Sequence, residues 1–224
     1  LDASRLVEGV ELDTTGLDLG FVASPVKGKV NANGTLRLVG LTDFIWQGDV
    51  VVTGLEYPSG AIDRVAGPVT IRKDRSSIFW EAPSALADEA RVTSLKSLAP
   101  ARYRVATRGE VNLATRTVEL TQAQVEGAPG QVTARGTYAI RTGAFEYAGA
   151  ASFARLSDVA PLTGSARGQW TVKRSSRDAP IRISTDAMGQ RVSSRIETLA
   201  QLSGPSPAVK ITGVVRDGRF VLES

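Results

Sequence analysis

Between Tyr103 and Val172 the chain alternates apolar and polar residues in five successive runs, YRVATRGEVNL, TVELTQAQVEG, QVTARGTYAI, AFEYAGAASFA and ARGQWTV, each separated by a few turn-forming residues. Side chains two apart in a strand share a face, so each run predicts a half-buried strand with one apolar and one wet side. Tyr103, Val105, Val111 and Leu113 share one parity, as do Val132, Tyr138 and Ile140, then Phe145, Tyr147 and Phe153. The same pattern predicts strands at Leu17–Phe21, at Val30–Leu38, at Trp46–Gly54 and from Gly67-Pro68 through Lys73. Residues 1–14 are poorly patterned and read as a ragged strand or a turn of helix. At the C-terminal end, Val209–Val215 and Phe220–Leu222 flank Asp217-Gly218, a strong hairpin signal.

One stretch breaks the pattern. SALADEARVTSLKSLAP, residues 84–100, starts on a residue able to cap a helix, continues with good helix formers and stops at Pro100. It predicts a short helix near 84–99 or an irregular connection, and a sub-unit boundary near 84–100. LSDVAPLTG at 156–164 is a second irregular connection, and the role of 176–206 stays open.

Several strands repeat a small residue in the apolar parity, as Ala32-x-Gly34-x-Leu36, Ala134-x-Gly136-x-Tyr138 and Ala166-x-Gly168-x-Trp170, with Thr107-x-Gly109-x-Val111 a weaker copy. Glycine inside a strand costs backbone entropy and removes a packing side chain, so its recurrence needs a cause. A sheet that bends or packs closely on something supplies one. A glycine beside a β-bulge in an ordinary sandwich supplies another.

Composition narrows the chemistry. The 224 residues contain no cysteine and no histidine, which removes disulfides, thiolate nucleophiles and the side chain most used for proton transfer and metal ligation near neutral pH. Asp158, Asp186 and Glu197 are isolated acids that read as surface charges. We therefore expect no enzyme, no cofactor and no metal. The formal charge of +4 is carried by Lys and Arg dispersed among acids, with Arg102, Arg104 and Arg108 on the wet parity. That describes a solvated face and no nucleic-acid track.

The run VEGAPGQVTARGTYAIRTGAFEYAGAASFARLSDVAPLTGSARGQW resembles the repeating unit of the AsmA-like and TamB proteins of diderm bacteria. Gly130 to Tyr138 matches their G-x-[LV]-x-A-x-G-x-aromatic strand, Arg141-Thr142-Gly143 the hairpin, and Ser157–Leu162 a DLxPL-type connection with Val159 in place of leucine. The match covers residues 100–175, with a looser echo over 28–80. The resemblance implies an all-β fold: an elongated, curled, antiparallel-rich sheet with an apolar groove, running through residues 1–224 as one segment of a longer protein. It further implies a periplasmic location in a parent protein anchored to the inner membrane, and phospholipid transport between the inner and outer membranes in outer-membrane biogenesis. The implied partners are phospholipid acyl chains, an outer-membrane barrel of the TamA type and adjacent segments of the same chain.

The residues expected to line the groove are Val105, Val111, Leu113, Val132, Tyr138, Ile140, Phe145, Tyr147, Phe153, Trp170 and Val172. A period of two is equally compatible with a closed β-sandwich or a solenoid acting as a cell-surface binding or adhesion module, whose apolar face would be filled by its own side chains.

Overall fold

A computed structural model describes residues 10–18, 27–39, 42–57, 60–92, 101–158, 160, 162–194, 204–216 and 219–222. They form thirteen strands: β1 (Val10–Asp18), β2 (Lys27–Leu38), β3 (Phe44–Tyr57), β4 (Gly60–Asp74), β5 (Ser77–Val92), β6 (Ala101–Asn112), β7 (Thr117–Gly127), β8 (Gly130–Ala139), β9 (Phe145–Phe153), β10 (Leu162–Arg174), β11 (Ile181–Ser194), β12 (Ala208–Arg216) and β13 (Arg219–Leu222). All thirteen belong to one antiparallel sheet whose spatial order is the chain order. β1 and β13 are not neighbours, so the sheet is open. At about 4.8 Å between strands and 3.3 Å per residue, it is about 60 Å long and about 30 Å across at β8.

Every strand packs against its neighbours in the chain, and among the described residues no second sheet covers it. The accessible surface of 15139 Å² compares with about 9,800 Å² for a compact monomer of this mass. Among the described residues no large side chain is fully buried, and the buried apolar residues are Trp46, Ala82, Ala85, Ala87, Leu156 and Val192. A two-layer sandwich would have closed its core over many more.

The helical option over residues 84–99 is corrected by the structure. Ser77–Val92 is one long strand, and residues 93–100 lie outside the described ones. Pairing on both sides supplies this segment with backbone partners, from β4 through Val65↔Ala87 and from β6 through Ala85↔Val105 and Ala87↔Tyr103. The alanines that favour helix locally are buried in the sheet, Ala87 to 2% exposure, and tertiary pairing outweighs a propensity of a few tenths of a kcal/mol per residue. Pro68 and Pro83, which lack a donor, both sit where the β4–β5 ladder is interrupted, between Ala66 and Thr70 on one strand and Glu81 and Leu86 on the other. Gly67-Pro68 therefore lies within β4 and does not start it. The pairing of β5 with β6 is interrupted as well, between Ala82 and Ala85 and between Ala87 and Ala90.

The N-terminal expectation shifts as well: β1 begins at Val10, inside the stretch read as poorly patterned, and residues 19–26 lie outside the described ones. The strands around Trp46 and from 103 to 172 stand where alternation placed them, and Val214↔Val221 and Arg216↔Arg219 pair the last two strands, with the expected turn at Asp217-Gly218 itself outside the described residues.

Gly34 and Gly168 lie against the backbone of the neighbouring strand, while two other causes act at Gly109 and Gly136. Gly109 sits at the bulge between β6 and β7. It also faces Trp80, whose ring occupies the space a Cβ would need. Tyr147 covers Gly136 in the same way, Trp170 covers Gly149 and Tyr103 covers Gly127, each across a directly paired position. Rings lie down on the sheet where glycine leaves room, an arrangement that compensates glycine's missing side chain. We expect Gly149→Val to destabilise the chain by about 2–3 kcal/mol, because the new branch would strike the Thr133 carbonyl oxygen and the Trp170 ring. Urea unfolding measures this, and an unchanged midpoint would mean the rings do not depend on the glycine.

Candidate functional site: one apolar face across the sheet

Directly paired residues in an antiparallel sheet point to the same side, so the registers trace each face across the molecule. One row runs Leu36, Trp46, Ile71, Trp80, Gly109, Leu120, Gly136, Tyr147, Val172, Ile183 and Gly213. A second runs Ala85, Val105, Val125, Val132, Ala151, Gly168, Ala187 and Val209. Both are uncharged and apolar or glycine from end to end. The reverse side carries Arg104, Arg108, Glu119, Gln131, Arg135, Glu146, Arg167, Gln169 and Asp186, all exposed.

Nine of the eleven residues expected to line a groove stand together on this face: Val105, Val111, Val132, Tyr138, Phe145, Tyr147, Phe153, Trp170 and Val172, each half-buried. Leu113 and Ile140 do not. Their parity is right, but each lies in the turn beyond its strand, where the chain leaves the sheet, and they are 45% and 41% exposed. The face also extends further than the expected list, through Trp46, Ile71 and Trp80 on one side and Ile183 on the other. The alternation around Trp46 was the available signal for that extension.

The face is partly dry. Burial raises the Tyr147 phenol above its ordinary 10.0, with the neighbouring Tyr138 adding to the shift, and the Phe145 and Tyr147 rings lie 5.8 Å apart. Among the described residues, cations enter it at one rim, where Lys73 pairs with Phe44 and Ile78 and Arg174 pairs with Phe145. Lys73 turns its ammonium to the Thr42 and Arg75 carbonyls and to Asp43. Arg174 donates to the Gly143 carbonyl from Nε and Nη2 and stacks its guanidinium 4.9 Å from the Phe145 ring centre.

A hollow of about 560 Å³ lies on the opposite side, between Gln131, Ala150, Arg167, Gln169, Asp186 and Met188. It exists because Ala148 and Ala150 of β9 are shorter than their neighbours on β8 and β10. Arg167 and Asp186 place charges among its alanines and Met188, whereas the rows on the other face carry no charge, so that face suits an apolar ligand better. Of the isolated acids, Asp158 pairs with Arg155 at 3.1 Å, Asp186 lines that hollow, and Glu197 lies outside the described residues. No cluster of metal-ligating side chains occurs among the described residues. Compared with protein-family models, curated proteins and solved structures, the chain gives no match.

Two outcomes follow from a face that is open. Val132→Asp should cost about 1–2 kcal/mol in urea unfolding, because the carboxylate can reach water from a half-exposed position; a loss several times larger would reveal a closed core. In an absorbance titration, wild type should show a tyrosine step above pH 10 that Tyr147→Phe lacks. With the folded-state value raised, the neutral phenol's contribution is complete below pH 10 and is lost as pH rises through the folded-state value.

Proposed function

We propose that the chain is a non-enzymatic segment of an AsmA-like, TamB-type periplasmic bridge, anchored through its parent protein at the inner membrane, that carries phospholipid acyl chains toward the outer membrane. The observation that supports this reading is an apolar face that continues across β2 to β12 without a covering layer. Burying a methylene is worth about 0.8 kcal/mol, so two chains of some thirty methylenes resist exposure by about 20 kcal/mol. A single face covers about half of each chain, which retains the lipid while leaving no deep well to trap it. Repeated Val, Leu, Ile, Ala and aromatic rows suit that task better than a shaped pocket, because sliding from one row to the next changes little. Adjacent segments of the parent chain would continue the sheet at β1 and β13, whose outer edges are unpaired here, and a TamA-type barrel would receive the far end.

Photo-crosslinkers placed in cells at Tyr138, Phe145 and Trp170 should yield phospholipid adducts, whereas one at Arg135 on the polar side should not. Crosslinks only to protein at the three apolar positions would end this reading. A closed adhesion module would then take its place.

A further inference from the structure

The two rims of the sheet are not alike. Along one of them the hairpins after β4, β6, β8 and β10 are joined by backbone hydrogen bonds from turn to turn: Leu113 N–H donates to Ser76 O at 2.7 Å, Ile140 N–H to Arg116 O at 2.9 Å, and Arg177 N–H to Thr142 O at 2.8 Å. Arg174 adds its bonds to Gly143 O. The ladder thus continues beyond the strands as a lip, and the turns are held in fixed order. On that lip stand Arg116, Arg141 and Arg177, all exposed, beside the exposed Leu113 and Ile140.

These guanidiniums are not balanced. The turns 113–116, 140–144 and 175–180 contain one acid, Asp178, and among the described residues Arg116, Arg141, Arg174 and Arg177 form no ion pair. At the other rim, the β7–β8 turn Ala128-Pro129 is uncharged, Arg155 is paired with Asp158 and Arg102 with Asp88 at 2.6 Å. Arg116, like Arg75 on this rim and Arg191 on the other, holds a left-handed φ, here 55°, a conformation that favours Gly, Asn or Asp.

We propose that this lip holds the anionic headgroups of phospholipids whose acyl chains lie on the apolar face. The inference rests on the lipid-carrying reading above. A lipid lying on that face must place its phosphate off it, since a charge on an apolar surface is costly, and among the described residues this rim sets Arg116, Arg141 and Arg177 in a row without ion pairs, where the other rim has Arg191, for charge-assisted, two-pronged contact. Alternate strands lie about 10 Å apart, so successive turns present their arginines at intervals suited to a row of headgroups. Leu113 and Ile140 then meet the first carbons below the headgroup, which explains why they are apolar although they lie beyond the strands.

The test is to load the purified chain from an equimolar mixture of phosphatidylglycerol and phosphatidylcholine with identical acyl chains, and to analyse the bound lipid. Wild type should be enriched about tenfold in the anionic lipid. Arg116→Asn/Arg141→Gln/Arg177→Gln, with asparagine chosen for its tolerance of the left-handed backbone, should bind the same total lipid with less than about twofold preference. Arg104→Gln/Arg135→Gln/Arg167→Gln on the polar side removes equal charge and should keep the wild-type preference. Equal headgroup ratios in wild type and the lip variant, or the same loss in the polar-side variant, would overturn the lip while leaving the apolar face as the lipid carrier. No lipid uptake by folded wild type would overturn both.

Discussion

The constraint on which this structure depends is that one sheet must be stable with only one layer. A sheet ordinarily buries its apolar side against helices or a second sheet, and that burial supplies most of the free energy offsetting chain entropy. Here the apolar side is half-exposed, so the backbone ladder and contacts within the face carry the load. Two local devices serve it. Aromatic rings lie flat over paired glycines, as Trp80 does over Gly109 and Trp170 over Gly149, gaining contact area without needing a partner above. Turn-to-turn hydrogen bonds extend the ladder past the strand ends. Both keep the face low and unobstructed, so the same features that hold the sheet together leave room for something to lie on it.

Alternation made the strands between 103 and 172 legible, because ten-residue runs with a strict period of two have few other folds open to them, and Asp217-Gly218 announced its hairpin for the same local reason. Residues 84–92 were less legible. Their alanines favour helix, and only the partners on β4 and β6, far along the chain, make them strand. Parity placed Val105 and Trp170 correctly yet overran at Leu113 and Ile140, since a period says which side a residue takes but not where the strand stops. Whether the face was filled lay beyond any periodic argument, because a sandwich core and an open groove demand the same residues. The basic lip was hidden for another reason: Arg116, Arg141 and Arg177 come from separate turns and look like scattered surface charge until the sheet sets them in a row.

A meander in which each strand touches only its neighbours behaves as a one-dimensional array, with stability approximating a sum of nearest-neighbour terms. Such a sheet can open locally at one interface without dismantling the rest. The interruption at Pro68 and Pro83 is the natural place, since the ladder there already lacks bonds. The array also tolerates extension at its edges, and a strand added at β1 or β13 would continue every row of the face.

One layer of strands therefore separates three environments. Its apolar side suits hydrocarbon, its charged reverse stays in water, and one of its rims carries a row of arginines. Since strand direction alternates, every second turn falls on the same rim, so placing arginine in the turns after β6, β8 and β10 is enough to make one rim basic along its length. A lipid on the face would then be oriented across the strands, headgroup to one side, while its travel runs along the sheet at right angles to them. Orientation and movement would in that way be assigned to perpendicular directions of the same sheet, and on the proposed reading a change in the arginines would alter which headgroup is held without altering the path of the acyl chains.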